Sequence, residues 1–181
     1  MDRFSAYLLV RRHLKRPESR NQALAVEAIM EDLGRRRGEP ETQWGVLGLL
    51  SQLDLEYAEQ NPERRGRTAR EQSELEGLPA AQSGHLERWC RYLQPEADST
   101  TELAPVEHAL LAATELAGMV LSRRASDDAL LGLAQELELS RGRGDRRGDD
   151  LDRALEALGL AAEDAARLAL DALRRVEQDL R

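Results

Sequence analysis

Leucine supplies 32 of the 181 residues and alanine 25, against 6 valines and 1 isoleucine. Leu and Ala lose little side-chain freedom in a helix, whereas strands draw on β-branched and aromatic residues, and aromatics are only 3% here. A sheet protein is therefore improbable. The length suits one domain with its own core. The sequence predicts a single all-α bundle of seven to nine helices over residues 1–181.

Hydrophobic periodicity places the helices. A short amphipathic stretch covers 3–15 and stops at Pro17. Val26, Ile29, Met30 and Leu33 follow at i, i+3, i+4 and i+7, with Gly34, Gly38 and Pro40 ending that helix. Val46, Leu49, Leu50, Leu53 and Tyr57 mark the next. Asn61-Pro62-Glu63 reads as a helix start, with Asn as cap and Pro at the first position. Leu86, Trp89, Cys90 and Leu93 share one side of a further helix, and Pro95–Thr101 reads as a loop. Val106, Ala109, Leu110, Ala113 and Ala117 define a long helix near 102–122. Leu130, Leu133, Ala134 and Leu137 repeat the pattern. SRGRGDRRGDD (140–150) has no apolar residue and is expected to be a mobile loop. Gly159 divides two closing helices, the second carrying Ala169, Leu173, Val176 and Leu180 inward.

Charge and composition exclude several function classes. A net charge of −8 argues against nucleic acid, whose backbone needs a cationic surface. The single cysteine, Cys90, rules out an internal disulfide and any Cys-based zinc cluster, and its apolar row favours an inert thiol. The N-terminal stretch has five apolar residues together, Ala6–Val10, and no small-residue cleavage site, so no signal peptide is expected. No apolar run is long enough to cross a membrane. A cytoplasmic protein without a membrane partner is the expectation. His13, His85 and His108 share no i, i+4 pairing and read as solvent-facing or capping. RGRGD (141–145) lacks the Lys-Ser/Thr ending of a phosphate-binding loop.

Three stretches in combination carry a family resemblance: Gln22-Ala-Leu-Ala-Val-Glu-Ala-Ile-Met, Trp44-Gly-Val-Leu-Gly-Leu-Leu-Ser-Gln-Leu-Asp, and Asn61-Pro-Glu-Arg-Arg-Gly. With Ala109-Leu-Leu-Ala-Ala-Thr-Glu-Leu-Ala-Gly and the closing helices from Asp152-Arg153 to Gly159-Leu160, the chain resembles HD-domain metal-dependent phosphohydrolases over roughly 20–180. It is most similar to the small stand-alone bacterial members. The resemblance implies an all-α fold and a central pocket in which a divalent metal lowers the pKa of its bound water.

At every metal-ligand position the chain departs from that pattern. The first ligand histidine falls on Gln22, the His-Asp doublet on Ser51-Gln52, the next histidine on Arg65, another on Trp89, and the last aspartate on Thr114. Neutral amides and hydroxyls are weak ligands, guanidinium does not deprotonate, and indole offers a metal no lone pair. Asp54 and Glu56 survive from the family's pattern and read as surface or helix-pairing carboxylates.

The resemblance thus implies a degenerate HD domain: an inactive pseudoenzyme without metal or other cofactor, kept as a regulatory scaffold for a protein partner or for self-association. Trp89 is expected to plug the space once held by metal and water, its N–H finding Gln22, Gln52 or Thr114. The alternative is a metal-free pocket for an anionic small molecule, a phosphorylated compound or nucleotide. Arg65 would supply the charge there, beside Asp54 or Glu56, with Gln22 and Gln52 as donors. A hydrolase with an unrecognised site is the third reading.

Overall fold

The computed structural model describes residues 1–61, 66–94, 102–121, 127–140 and 146–179. All regular structure among the described residues is helical: α1 (Arg3–His13), α2 (Pro17–Arg37), α3 (Glu41–Ser51), α4 (Leu55–Ala58), α5 (Arg67–Leu75), α6 (Ala80–Tyr92), α7 (Pro105–Leu121), α8 (Asp127–Ser140), α9 (Arg146–Leu158) and α10 (Ala162–Asp179). Setting aside α4, a single turn, this is the all-α bundle of seven to nine helices predicted from composition and periodicity. None of the helices is long and apolar enough to cross a membrane. Arg65, the Pro62–Glu63 part of the expected helix start and the expected loop over Pro95–Thr101 lie outside the described residues.

Local sequence sets the helix ends. The Asp2 carboxylate accepts the Ser5 N–H at 2.8 Å to cap α1, and that bond holds its pKa below the ordinary value. Gly38 ends α2 at φ 72°: its N–H donates to the Arg35 carbonyl and the Glu39 N–H to that of Gly34, the paired bonds of a Schellman motif. Gly159 closes α9 in the same way. Gly34, expected to help end α2, stays inside it. A Cβ there would lie 3.1 Å from Trp44 Cγ, so its bareness serves packing against α3 and not termination.

The bundle is arranged around α2, which packs on α3, α7 and α10. Val26, Ile29 and Met30 are fully buried, as their spacing requires. The α2–α3 crossing is close because Gly48 faces α2. An added Cβ would meet Glu27 Cα, Met30 Cγ and the Val26 carbonyl oxygen, each at 3.1 Å. From this centre α1 covers α3, α9 and α6 lean on α7, and α8 packs on α10. A bidentate ion pair from Arg3 to the buried Glu27 (2.7 and 2.9 Å) ties α1 to α2. Arg175 of α10 reaches the Ala28 carbonyl at 2.8 Å and Asp32 at 2.6 Å.

Further local expectations change: the helix expected to carry Val46 to Tyr57 ends at Ser51, and Tyr57 lies on α4. The ends of the loop expected over 140–150 are helical, since α8 runs to Ser140 and α9 begins at Arg146, while its middle, 141–145, lies outside the described residues. Buried Leu151, Ala154 and Leu155 anchor α9 on α7, and Tyr92 Oη donates to Asp150 at 2.6 Å, which secures its first turns. Glu56 is no mere surface carboxylate. It accepts the Lys15 and Arg16 N–H groups at 2.9 and 2.8 Å, holding the chain where it enters α2. Burial pushes its pKa upward, but these bonds, Ser19 and the Arg16 guanidinium outweigh burial and hold it below the usual value.

Candidate functional site

The sequence-predicted positions meet where α3 ends. Gln52 caps α3, turning the chain so that its side chain crosses to the middle of α7. Its Nε2 donates to Ser51 Oγ at 2.8 Å and to Thr114 Oγ1 at 3.3 Å, and Ser51 Oγ donates to the Gly48 carbonyl at 2.7 Å. Ser51 and Gln52 are each 1% exposed, and Thr114 is half-buried. Residues 62 positions apart therefore form one amide–hydroxyl group inside the bundle. One atom in it is unsatisfied: Gln52 Oε1 is buried and accepts no hydrogen bond. An unmet acceptor of this kind costs about 1–3 kcal/mol.

The remaining predicted residues stand apart from that group. Gln22 is half-buried on α2 and lines a separate cleft of about 410 Å³ with Arg16, Ser19, Leu55, Glu59 and Gly118, the last one turn beyond Thr114. Among the described residues it forms no hydrogen bond to Ser51, Gln52 or Thr114. The Arg16 guanidinium in this cleft is ion-paired with Glu59 and lies 3.7 Å from Glu56, so its charge is already answered. Trp89 is fully buried on α6, packed into the core. Its neighbour Cys90 presses against Gly66, where an added Cβ would fall 1.7 Å from Cys90 Sγ. Asp54, expected at the surface, is 2% exposed and lines a pocket of about 310 Å³ with His13, Tyr57, Arg67, Thr68 and Glu71.

Chemically, the central group offers an amide and two hydroxyls. These can hold one another or a neutral hydrogen-bond donor. No carboxylate or imidazole belongs to it, so it has no general base and no strong ligand for a divalent ion. Among the described residues, no three His, Cys, Asp or Glu side chains are grouped to hold a metal.

Sequence reasoning missed a second polar cluster. Glu107, wholly buried at the start of α7, accepts from Arg88 Nε at 2.6 Å and from the Ala104 N–H at 2.8 Å, and lies 2.8 Å from His85 Nδ1. The available signal was local. Glu107 is the third residue of a helix opened by Pro105, the position from which a glutamate reaches back to the capping N–H. All three histidines, expected to be solvent-facing or capping, are half-buried. Burial lowers the pKa of His108, with Glu107 opposing and Arg153 assisting. Burial likewise lowers His13, aided by the charges of Arg12 and Lys15 against a hydrogen bond to Gln72.

Comparison with protein-family models, with curated proteins and with solved structures finds no match.

Proposed function

We propose that this chain is a degenerate HD-like domain without hydrolase activity, serving as a scaffold for protein association. One observation carries the reading. Positions to which the resemblance assigns three metal ligands hold Ser51, Gln52 and Thr114, and these side chains bond to one another. A neutral group of this kind is what remains when ligands are replaced and packing closes over the space. The alternative of a pocket for a phosphorylated small molecule draws less support, because the open atom of the group, Gln52 Oε1, is an acceptor and repels an anion.

Thermal melts test the reading, since a specific ligand of the native state raises Tm. Mn²⁺, Fe²⁺, Ni²⁺ and Zn²⁺ are added singly, then a nucleotide panel, with phosphatase turnover measured alongside. The expected outcome is no shift and no turnover. A metal-dependent rise in Tm with turnover would restore the hydrolase reading, and a rise with nucleotides alone would favour the anion pocket.

A further inference from the structure

The two nitrogens of the His85 ring stand in different surroundings. Nδ1 lies 2.8 Å from Oε1 of the wholly buried Glu107 and 2.8 Å from Nη2 of Arg88. Nε2 forms no hydrogen bond among the described residues and is open to solvent, whereas Nε2 of His13 and Nδ1 of His108 are buried without a partner. The His85 side chain is 28% exposed against 0% for Glu107, so the edge of the ring that meets water is the one bearing Nε2.

The position of one proton sets the chemistry of such a ring. A bare Nδ1 would press its lone pair against those of a carboxylate 2.8 Å away, where no water relieves the repulsion. Glu107 is not free to turn aside, because Oε1 accepts from Arg88 Nε at 2.6 Å and Oε2 from the Ala104 N–H at 2.8 Å. A proton on Nδ1 turns the same distance into a charge-assisted hydrogen bond. Arg88 Nη2 then loses its acceptor on the ring, but that side chain is 47% exposed and turns the N–H to water. With Nδ1 protonated, the neutral imidazole carries its lone pair on Nε2, facing outward.

A carboxylate that holds Nδ1–H while Nε2 is presented is the arrangement that orients a reactive histidine. No hydroxyl or thiol is bonded to Nε2 among the described residues, and no metal-ligand trio includes it, so the ring is itself the reacting group. Arg88 favours phosphorus as the electrophile. Its Nη1 forms no hydrogen bond among the described residues and reaches over Gly84, lying 3.9 Å from where a Cβ there would stand, with no other atom within 4 Å. A guanidinium with both terminal nitrogens open and a nucleophilic nitrogen thus share one uncovered patch of α6. The planar donor fork matches phosphoryl oxygens.

We propose that His85 is a phosphorylation site: Nε2 accepts a phosphoryl group, Arg88 binds the phosphoryl oxygens, and Glu107 is the positioning residue. The Nε2 lone pair forms the N–P bond as the bond from phosphorus to the leaving group breaks. The donor class is a phosphoramidate, whose nitrogen departs with that electron pair as a neutral amine. The Nδ1 proton stays in place, and the Glu107 carboxylate balances the positive charge the ring gains. The inference goes beyond the scaffold reading and does not depend on it.

Potassium phosphoramidate is the probe, incubated with the full chain and followed by phosphorus NMR and mass mapping. The expected product is an acid-labile phosphoryl group on Nε2 of His85, absent from His85→Gln. It forms about tenfold or more faster than on free histidine in the same solution. Arg88→Ala slows the reaction severalfold with an unchanged circular dichroism spectrum, and Glu107→Gln brings the rate toward that of free histidine. Nitrogen–proton correlation NMR of the unreacted wild type reads the tautomer directly and is expected to find Nδ1–H at His85. Reaction at His85 no faster than at free histidine overturns the proposal, as does a product on Nδ1 or an Nε2–H tautomer. A folded Glu107→Gln variant that reacts at full rate also overturns it; if that variant does not fold, the wild-type tautomer decides the same point. The metal and nucleotide melts judge the scaffold reading separately.

Discussion

Replacing Gln52 by leucine separates a packing role from a ligand-binding one. The substitution removes two hydrogen bonds, at 2.8 and 3.3 Å, each worth about 0.5–1.5 kcal/mol, with the longer one at the low end. It also removes the buried Oε1 that accepts nothing, relieving about 1–3 kcal/mol. Leucine gives up about 0.5–1 kcal/mol less rotamer entropy on burial than glutamine. Ser51 Oγ keeps its bond to the Gly48 carbonyl, and half-buried Thr114 retains a route to solvent. The balance lies between neutral and about 2 kcal/mol stabilising, an unchanged Tm or a rise of a few degrees for a chain of this size. Gln52→Ala loses the same bonds and leaves a cavity, so it melts lower. Gln52→Glu buries a charge beside two hydroxyls and melts lowest. Differential scanning calorimetry reads the order Leu, wild type, Ala, Glu. A leucine variant melting more than about 5 °C below wild type would refute the reasoning.

Three other outcomes follow from the same geometry. Gly66→Ala places a methyl 1.7 Å from Cys90 Sγ on a backbone at φ 82°, so urea unfolding should show a loss of about 3 kcal/mol or more, the combined scale of overpacking and a left-handed β-carbon. Because burial lowers His13 and His108, the unfolded chain binds protons that the native chain refuses as pH falls below 6.5. Stability is therefore full above that value and declines below it, before the lowered carboxylates Asp2 and Glu56 begin to titrate beneath their ordinary range. Urea midpoints from pH 8 to 5 should fall, and His108→Leu should flatten the slope. The double variant Gln52→Asp/Thr114→Asp sets two carboxylates across the 3.3 Å contact; it should melt well below wild type and recover several degrees with millimolar Mn²⁺, whereas wild type does not respond.

Most helices were legible because the core residues repeat at helical spacing. Val26, Ile29, Met30 and Leu33, or Leu86, Trp89 and Cys90, face inward as the pattern requires. The meeting of Gln52 with Thr114 was foreshadowed by the family resemblance, since composition and period hold nothing that links positions 62 apart. The resemblance assigns Gln22 to the same pocket. Its cleft is bounded by Leu55 and Gly118 instead, a difference set by how α2 crosses its neighbours. Buried charges were the least visible. Asp54 and Glu107 look like ordinary polar residues until the fold decides which N–H or cation faces them. The 146–150 segment misled because its glycine and charge suggest a loop, while the buried Leu151 and Ala154 that follow bring it into helix.

Gly48 has an effect beyond its own crossing. It sits one turn upstream of the Ser51–Gln52 pair, and its carbonyl receives the serine hydroxyl. The depth to which α3 sinks onto α2 therefore governs how far the glutamine arm must stretch toward the opposite helix. A single methyl at that bare position, touching neither partner, would lift the whole end of α3 and part the two halves of the polar seam.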